Sequence, residues 1–266
     1  MRDTIYMFSW RAKRHLFIFV LLFLIIGGGA AWGTYKLFPV PTCFDNIRNQ
    51  GEGEIDCGGS CAPCALRNPQ EITVFWARAI PMRPNSYDAA AEIQNPNEAL
   101  SSASVEYEFT LFDTRGPIAV RRGKTFLFAQ ERTMVVEAGL ETTREPASVE
   151  FKILNVDWIA RSDPKPNVMV ERHEYVKINE GRPQSAVDVS LVNDTPFNFR
   201  NFEIIVTAFD RNGNLIGANR VGIEGFDSES RKKIRTLWPI LFAEDPATIR
   251  IEPRVNLFNP EVIINR

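Results

Sequence analysis

Four cysteines, at 43, 57, 61 and 64, lie in one short stretch, CFDNIRNQGEGEIDCGGSCAPC. Their spacing is Cys43-x13-Cys57-x3-Cys61-x2-Cys64. Three chemistries suit it. In an oxidising compartment an even number of thiols pairs into disulfides, and four allow three connectivities. A terminal CxxC pair with two further thiols can hold tetrahedral zinc, although zinc sites usually combine two close-spaced pairs and Cys43 stands apart. Cys61-Ala-Pro-Cys64 has redox spacing but lacks a flanking βαβ pattern. We expect disulfides, because about twenty residues bury no core and need cross-links to hold a shape. Glycines 51, 53, 58 and 59 permit the tight turns that such a knot needs. Asp45, Asn46, Asn49, Glu52, Glu54 and Asp56 also supply oxygens suited to calcium, but not in EF-hand order.

The compartment follows from the segment upstream. LFIFVLLFLIIGGGAAWGTY, residues 16–35, carries no charge and is long enough as a helix to cross a bilayer. Residues 1–15 hold Arg2, Arg11, Lys13 and Arg14 against Asp3, a net of +3, so this end should stay in the cytoplasm. Trp10, Trp32 and Tyr35 flank the stretch at interfacial depth. The competing reading is a cleaved signal, with Leu16–Ile26 as its apolar core and Gly27–Ala31 as the cleavage region. The apolar run through Trp32 favours a retained anchor. Gly29 and Gly33 form one GxxxG spacing, a weak signal for helix pairing. The chain beyond Lys36 carries −6 of the formal net −2, a balance unsuited to nucleic acid. Arg231-Lys232-Lys233 is its one basic run and reads as a solvated strand end or loop.

From about Leu66 onward the hydrophobic period is two. In SVEYEFTLF, Val105, Tyr107, Phe109 and Leu111 alternate with Glu106, Glu108 and Thr110, and AVDVSLV behaves likewise. FEIIVTAF carries apolar residues on both sides, as expected of a strand covered on both faces. The halves match each other. AEIQNPN (91–97) aligns with VSLVNDT (189–195), EFTLFDTRG (108–116) with IVTAFDRNG (205–213), and PASVEFKI (146–153) with PATIRIEP (246–253). Nearly constant offsets of about 100 residues imply a tandem duplication. A unit of that size, with some seven strands, suits an immunoglobulin-like sandwich.

The expected organisation is a basic tail (1–15), a transmembrane helix (16–36), a disulfide knot (41–66), a first sandwich (68–160), a proline-containing linker (161–166) and a second sandwich (167–266). The fold class is all-β behind one helix. Asp210-Arg-Asn212-Gly213-Asn214 resembles the start of a calcium loop, but Asn-Gly also makes a hairpin turn, which we prefer. Asn193-Asp194-Thr195 fits a glycosylation acceptor and equally a turn. His173 reads as a surface strand residue. With that one histidine beyond the helix and no GxSxG, P-loop, Rossmann or HExxH pattern, no catalytic site is expected, and no cofactor. Trp76, Trp158 and Trp238 read as core or sheet-edge anchors, or as an exposed binding face.

Two resemblances attach to these residues. Cys43, Asp45, Asn49, Glu52, Asp56, Cys57, Gly58, Gly59, Cys61 and Cys64 resemble a small cysteine-rich motif of secreted and surface proteins of bacteria and other microbes, which implies an extracytoplasmic setting. The repeats resemble the FxLYD and WHy classes of small β-sandwich. Asn95-Pro96-Asn97 with Tyr107 to Asp113 carries the likeness in one copy, and Asn193-Asp194 with Phe209 to Gly217 in the other. The second copy lacks Asn-Pro-Asn, and both have Phe where a Tyr precedes the Asp. This resemblance implies a non-catalytic envelope module. The expected partners are the bilayer, through 16–36, and another envelope protein or cell-wall polymer. A thiol-redox or metal-binding factor, or an accessory subunit of a secretion or appendage machine, is the alternative.

Overall fold

The computed structural model describes residues 10–37 and 40–264. It is all-β apart from an N-terminal helix, α1 (Trp10–Leu37), and one 3-10 turn, Cys64–Arg67. The helix is longer than the uncharged run, because Arg11, Lys13 and Arg14 are themselves helical. Straight-chain arginine and lysine continue a helix at little cost. Its stretch Lys13–Lys36 is long and apolar enough to cross a membrane. Two compact units divide the chain, residues 1–64 and 65–266.

The larger unit contains twelve long strands and one short one. The first half supplies β1 (Thr73–Arg83), β2 (Ser86–Gln94), β3 (Ser101–Asp113), β4 (Gly116–Leu127), β5 (Arg132–Glu141) and β6 (Ser148–Ile159). The second supplies β7 (Val168–Ile178), β8 (Gln184–Asn193), β9 (Asn198–Phe209), β10 (Leu215–Phe226), β11 (Ser230–Trp238), β12 (Thr248–Arg254) and β13 (Ile263–Ile264). All described pairings are antiparallel. The first half forms sheets β1-β2-β5 and β4-β3-β6, and the second forms β7-β8-β11 and β10-β9-β12. The strand order is thus the same in both halves, shifted by six strands. β13 adds a seventh strand to the second half, on β9.

Alternation explains each sandwich. On β3, Val105, Tyr107, Phe109 and Leu111 are buried against Ala89, Ala91 and Ile93 of β2. The intervening Glu106 and Glu108 face outward and pair with Lys124 and Arg122 at 2.7 Å. In the second half Val187, Val189 and Leu191 of β8 pack with Ile204, Val206 and Ala208 of β9 around Trp238, whose Nε1 donates to the Ala218 carbonyl at 3.2 Å.

The two sandwiches do not hang on a free linker. Residues 161–167 contain no strand, yet Lys165 reaches Glu131 at 2.8 Å and Ser101 Oγ donates to the Arg161 carbonyl at 2.6 Å. The sheet β1-β2-β5 is covered on both faces. Ala89 and Ala91 point into the first core, while Ala90, with Ile80, Met82, Met134 and Val136, joins the core of the second half. Consecutive alanines let a sheet approach neighbours on both sides, since neither face carries bulk. β9 shows the counterpart, with Ile204, Ile205, Val206, Thr207 and Ala208 all buried, as its two-sided apolar pattern led us to expect. The result is a stack of four sheets: β4-β3-β6, β1-β2-β5, β10-β9-β12, then β7-β8-β11.

Candidate functional site

The knot is built from two disulfides, Cys43–Cys61 and Cys57–Cys64. Of the three connectivities that four cysteines allow, this one interlocks the segment, because each bridge spans one end of the other. With all four sulfurs so engaged, none is available as a thiolate for zinc or exchange chemistry.

The acids of this segment fold inward. Asp56 accepts from the backbone N–H groups of Asp45 and Asn46 at 3.0 Å each. Asp45 accepts from the Thr42 and Ile47 N–H groups and from Asn49 Nδ2, at 2.9–3.0 Å. The Thr42 N–H and the Asn49 amide hold the Asp45 carboxyl below the usual aspartate value. Glu52 is buried and accepts from the N–H groups of Asn49 (3.3 Å) and Asp56 (3.0 Å). The carboxylates read as calcium ligands therefore anchor backbone donors that a segment without regular structure would leave unpaired. Gly58 and Gly59 have positive φ, +80° and +60°. A Cβ there would lie 2.8 Å from Gly53 N and 2.6 Å from Gly51 O respectively. Every position of the cysteine-rich motif thus serves the shape of the segment, as a sulfur bridge, a turn-holding side chain or a turn glycine.

The repeat-matched residues do the same in the body. Asn95 is fully buried at the end of β2. Its Nδ2 donates to the Leu100 and Phe128 carbonyls at 2.7 and 2.9 Å, and its Oδ1 accepts from Asn97 N. Asn193, fully buried at the end of β8, donates to the carbonyls of Phe197, Phe226 and Asp227 and accepts from Thr195. Each asparagine ties the loop after its own strand to a loop that crosses from one sheet of the sandwich to the other. The burial of Asn193 fits the turn reading and leaves its amide no access for glycan attachment. Asp113 and Asp210 also match. Asp113 Oδ1 accepts from Arg115 and Gly116 N–H groups, and Asp210 Oδ1 from Asn212 and Asn214 N–H groups. Both are hairpin turns, and the Asn214 side chain holds Asp210 below its ordinary pKa. The third match, Pro-Ala, places the Ala147 N–H on the Phe112 carbonyl and the Ala247 N–H on the Phe209 carbonyl.

Other singled-out residues are dispersed. His173 is exposed on β7 opposite Val189. Trp238 is buried, while Trp76 and Trp158 are half-buried on β1 and β6. Trp76 Nε1 donates to Glu92 at 2.9 Å, and Arg132, bidentate on the same carboxylate, depresses its pKa. Arg231-Lys232-Lys233 opens β11, where Arg231 pairs with Glu171 at 2.9 Å.

A cleft of about 660 Å³ lies where the two halves meet, lined by Ser104, Lys124, Thr125, Asn201, Glu203 and Arg254 among others. Its floor is a residue that sequence reading passed over. Arg254, at the end of β12, is 4% exposed. It lies 3.4 Å from Glu131 and 3.1 Å from Glu203, and bonds Thr125 Oγ1 at 3.0 Å. It also donates to the Phe126 carbonyl, and its guanidinium sits 4.2 Å from the Phe126 ring centre. Glu131 is itself buried and accepts from the Phe128 N–H at 2.8 Å. One arginine thus crosses the junction, bonding groups of β4 and β9 and standing beside the Glu131 carboxylate of the β4–β5 loop. Around it, Thr133 donates to Glu252 at 2.7 Å, and Arg220 approaches Glu137 at 3.7 Å. This is the chemistry of a clamp between the two halves of the body. Its signal in the sequence was a lone arginine in IEPRVN, with nothing local to mark its burial. Compared with known families and with curated proteins, the chain matches no family model and no curated sequence.

Proposed function

We propose that this chain is a single-pass envelope protein. Its helix is retained in the plasma membrane with the N-terminus in the cytoplasm, and its duplicated sandwiches form a rigid, non-catalytic scaffold outside. The scaffold engages another envelope protein or a cell-wall polymer. One observation carries the reading: the charged and reactive side chains that the sequence offers are used to fix shape. The sulfurs are bridged, the knot's acids hold turns, and Arg254 with Glu131 and Glu203 locks one sandwich on the other. Such fixing suits a spacer that presents strand edges and loops at a set distance from a membrane, since a pre-organised surface loses little entropy on binding. The repeated strand order and the three shared contacts support a duplication, and the paired sulfurs support an oxidising compartment.

The test is affinity capture of the full chain from intact membranes, with mass spectrometry of retained proteins and analysis of wall sugars. The reading expects one envelope component, retained equally before and after mild reductant treatment. Recovery of the chain alone, with no envelope component, would remove its basis.

A further inference from the structure

The knot is built inside out. Every large apolar side chain in residues 40–64 faces solvent: Val40 (75% exposed), Phe44 (89%), Ile47 (54%) and Ile55 (48%). Its interior holds Cys57 and Glu52, which are 1% and 4% exposed, with the other three cysteines half-buried around them. Three of the four acids turn toward backbone donors, so the polar residues are used inside and the apolar ones are presented outside. Phe44, Ile47 and Ile55 also gather about one hydrogen-bonded turn. Asp56, next to Ile55, grips the N–H groups of residues 45 and 46, and Asp45, next to Phe44, grips that of Ile47. Exposed apolar side chains on so small and cross-linked a segment mark a contact surface.

We infer that Val40, Phe44, Ile47 and Ile55 form a foot that inserts into the headgroup region of the bilayer in which α1 is anchored. The inference rests on the anchored reading above. Chain length selects the occupant. Helix α1 ends at Leu37, three residues before Val40 and seven before Phe44. Seven residues span at most about 25 Å, so Phe44 can reach the interface that begins at the end of an apolar span. Trp32, Tyr35 and Lys36, in the last turns of α1, are residue types that favour that depth. Charge defines how the foot holds. Residues 40–64 carry Asp45, Glu52, Glu54 and Asp56 against Arg48, so attraction to anionic lipid does not drive the contact. Apolar insertion does, and it should be insensitive to salt.

The test uses the full chain in phosphatidylcholine vesicles, with the photo-crosslinking residue benzoylphenylalanine in place of Phe44. Intact mass under non-reducing conditions verifies both disulfides. The same substitution at Phe23, inside the apolar span, is the yardstick. Lipid adducts at position 44 should reach at least about a tenth of the yield at position 23, in low and high salt alike. A lower yield, or adducts to a second protein chain in place of lipid, overturns the foot. Alkaline carbonate extraction separates the two levels. A chain released by carbonate overturns both the anchor and the foot. A retained chain labelled at position 23 but not at 44 overturns the foot alone.

Discussion

Replacing Arg254 by methionine should lower the stability of the 65–266 body by about 3–5 kcal/mol, the range for removing one partner from a buried ionic cluster. Methionine keeps much of the volume but removes the cation that Glu131 and Glu203 share, leaving Glu131 with Lys165 alone, and takes the guanidinium donor from the Phe126 carbonyl. For a body of this length the loss corresponds to roughly 10 °C in Tm. The form of the transition matters as much as its position. With Arg254 present the two sandwiches should melt together, because Ala90, Met134 and Val136 of the first half share a core with Ile205 and Val206 of the second. In the variant that shared core remains while the clamp beside it is lost, so calorimetry should show a transition that is both lower and broader. Arg254→Lys should recover only part of the loss, since an ammonium cannot reproduce a planar fork of donors. Lys165→Ala serves as the contrast: its ammonium is about half exposed and Glu131 keeps Arg254, so the loss should be smaller than for Arg254→Met. A single unshifted transition in Arg254→Met would show that the clamp does not hold the halves together.

The second large effect belongs to the repeated asparagines. Asn193→Ala removes the donor shared by three carbonyls, those of Phe197, Phe226 and Asp227, in a fully buried site. The Phe197 and Asp227 carbonyls keep the Thr195 and Ser230 hydroxyls, so the Phe226 carbonyl is the one stranded, and the cost is about 1–3 kcal/mol. Asn95→Ala strands the Leu100 carbonyl, while that of Phe128 keeps the Glu131 N–H, and should likewise cost about 1–3 kcal/mol. Asparagine to aspartate should be worse than alanine at both sites, because the carboxylate would face carbonyl oxygens as an anion without a donor. Chemical denaturation of the single and double variants checks the order. The double variant should be additive to within about 0.5 kcal/mol, as expected for separated sites in separate loops. Equal stability of wild type and Asn193→Ala would mean that the loop finds other donors.

These two sites differ in how far the chain announced them. Asn95 and Asn193 stood out because each occupies the same place in two matching segments, so a repeated side chain revealed a repeated role. The alternation in SVEYEFTLF gave the buried face of β3 directly, since one side of that strand meets a core and the other meets water. The two-sided pattern of FEIIVTAF likewise signalled a strand between two layers. Its counterpart was harder to see. Ala89-Ala90-Ala91 has no period, because small residues on both faces of β2 satisfy two cores at once, and a strand without bulk resembles many other segments. Arg254 was invisible for a different reason. Glu203 is its cross-strand neighbour on β9, but its other partners come from residues 125, 126 and 131, and only packing of one sandwich on the other brings those to it. The same limit applied to the knot. Spacing allowed three pairings of the sulfurs, and the choice depends on where Asp45, Glu52 and Asp56 send the backbone. Their acidity suggested cation ligands, whereas the folded segment turns them on its own N–H groups.

The central claim is that an apolar helix with basic residues behind it delivers the bridged knot and the clamped sandwiches to an oxidising exterior. Spheroplasts expressing the full chain with a C-terminal tag offer the most direct measurement, combining protease shaving with thiol counting under denaturing conditions. The account predicts loss of the tag on shaving, with no reactive thiol before reduction and four after it. A tag protected until the membrane is dissolved, with four thiols reactive from the start, would contradict it.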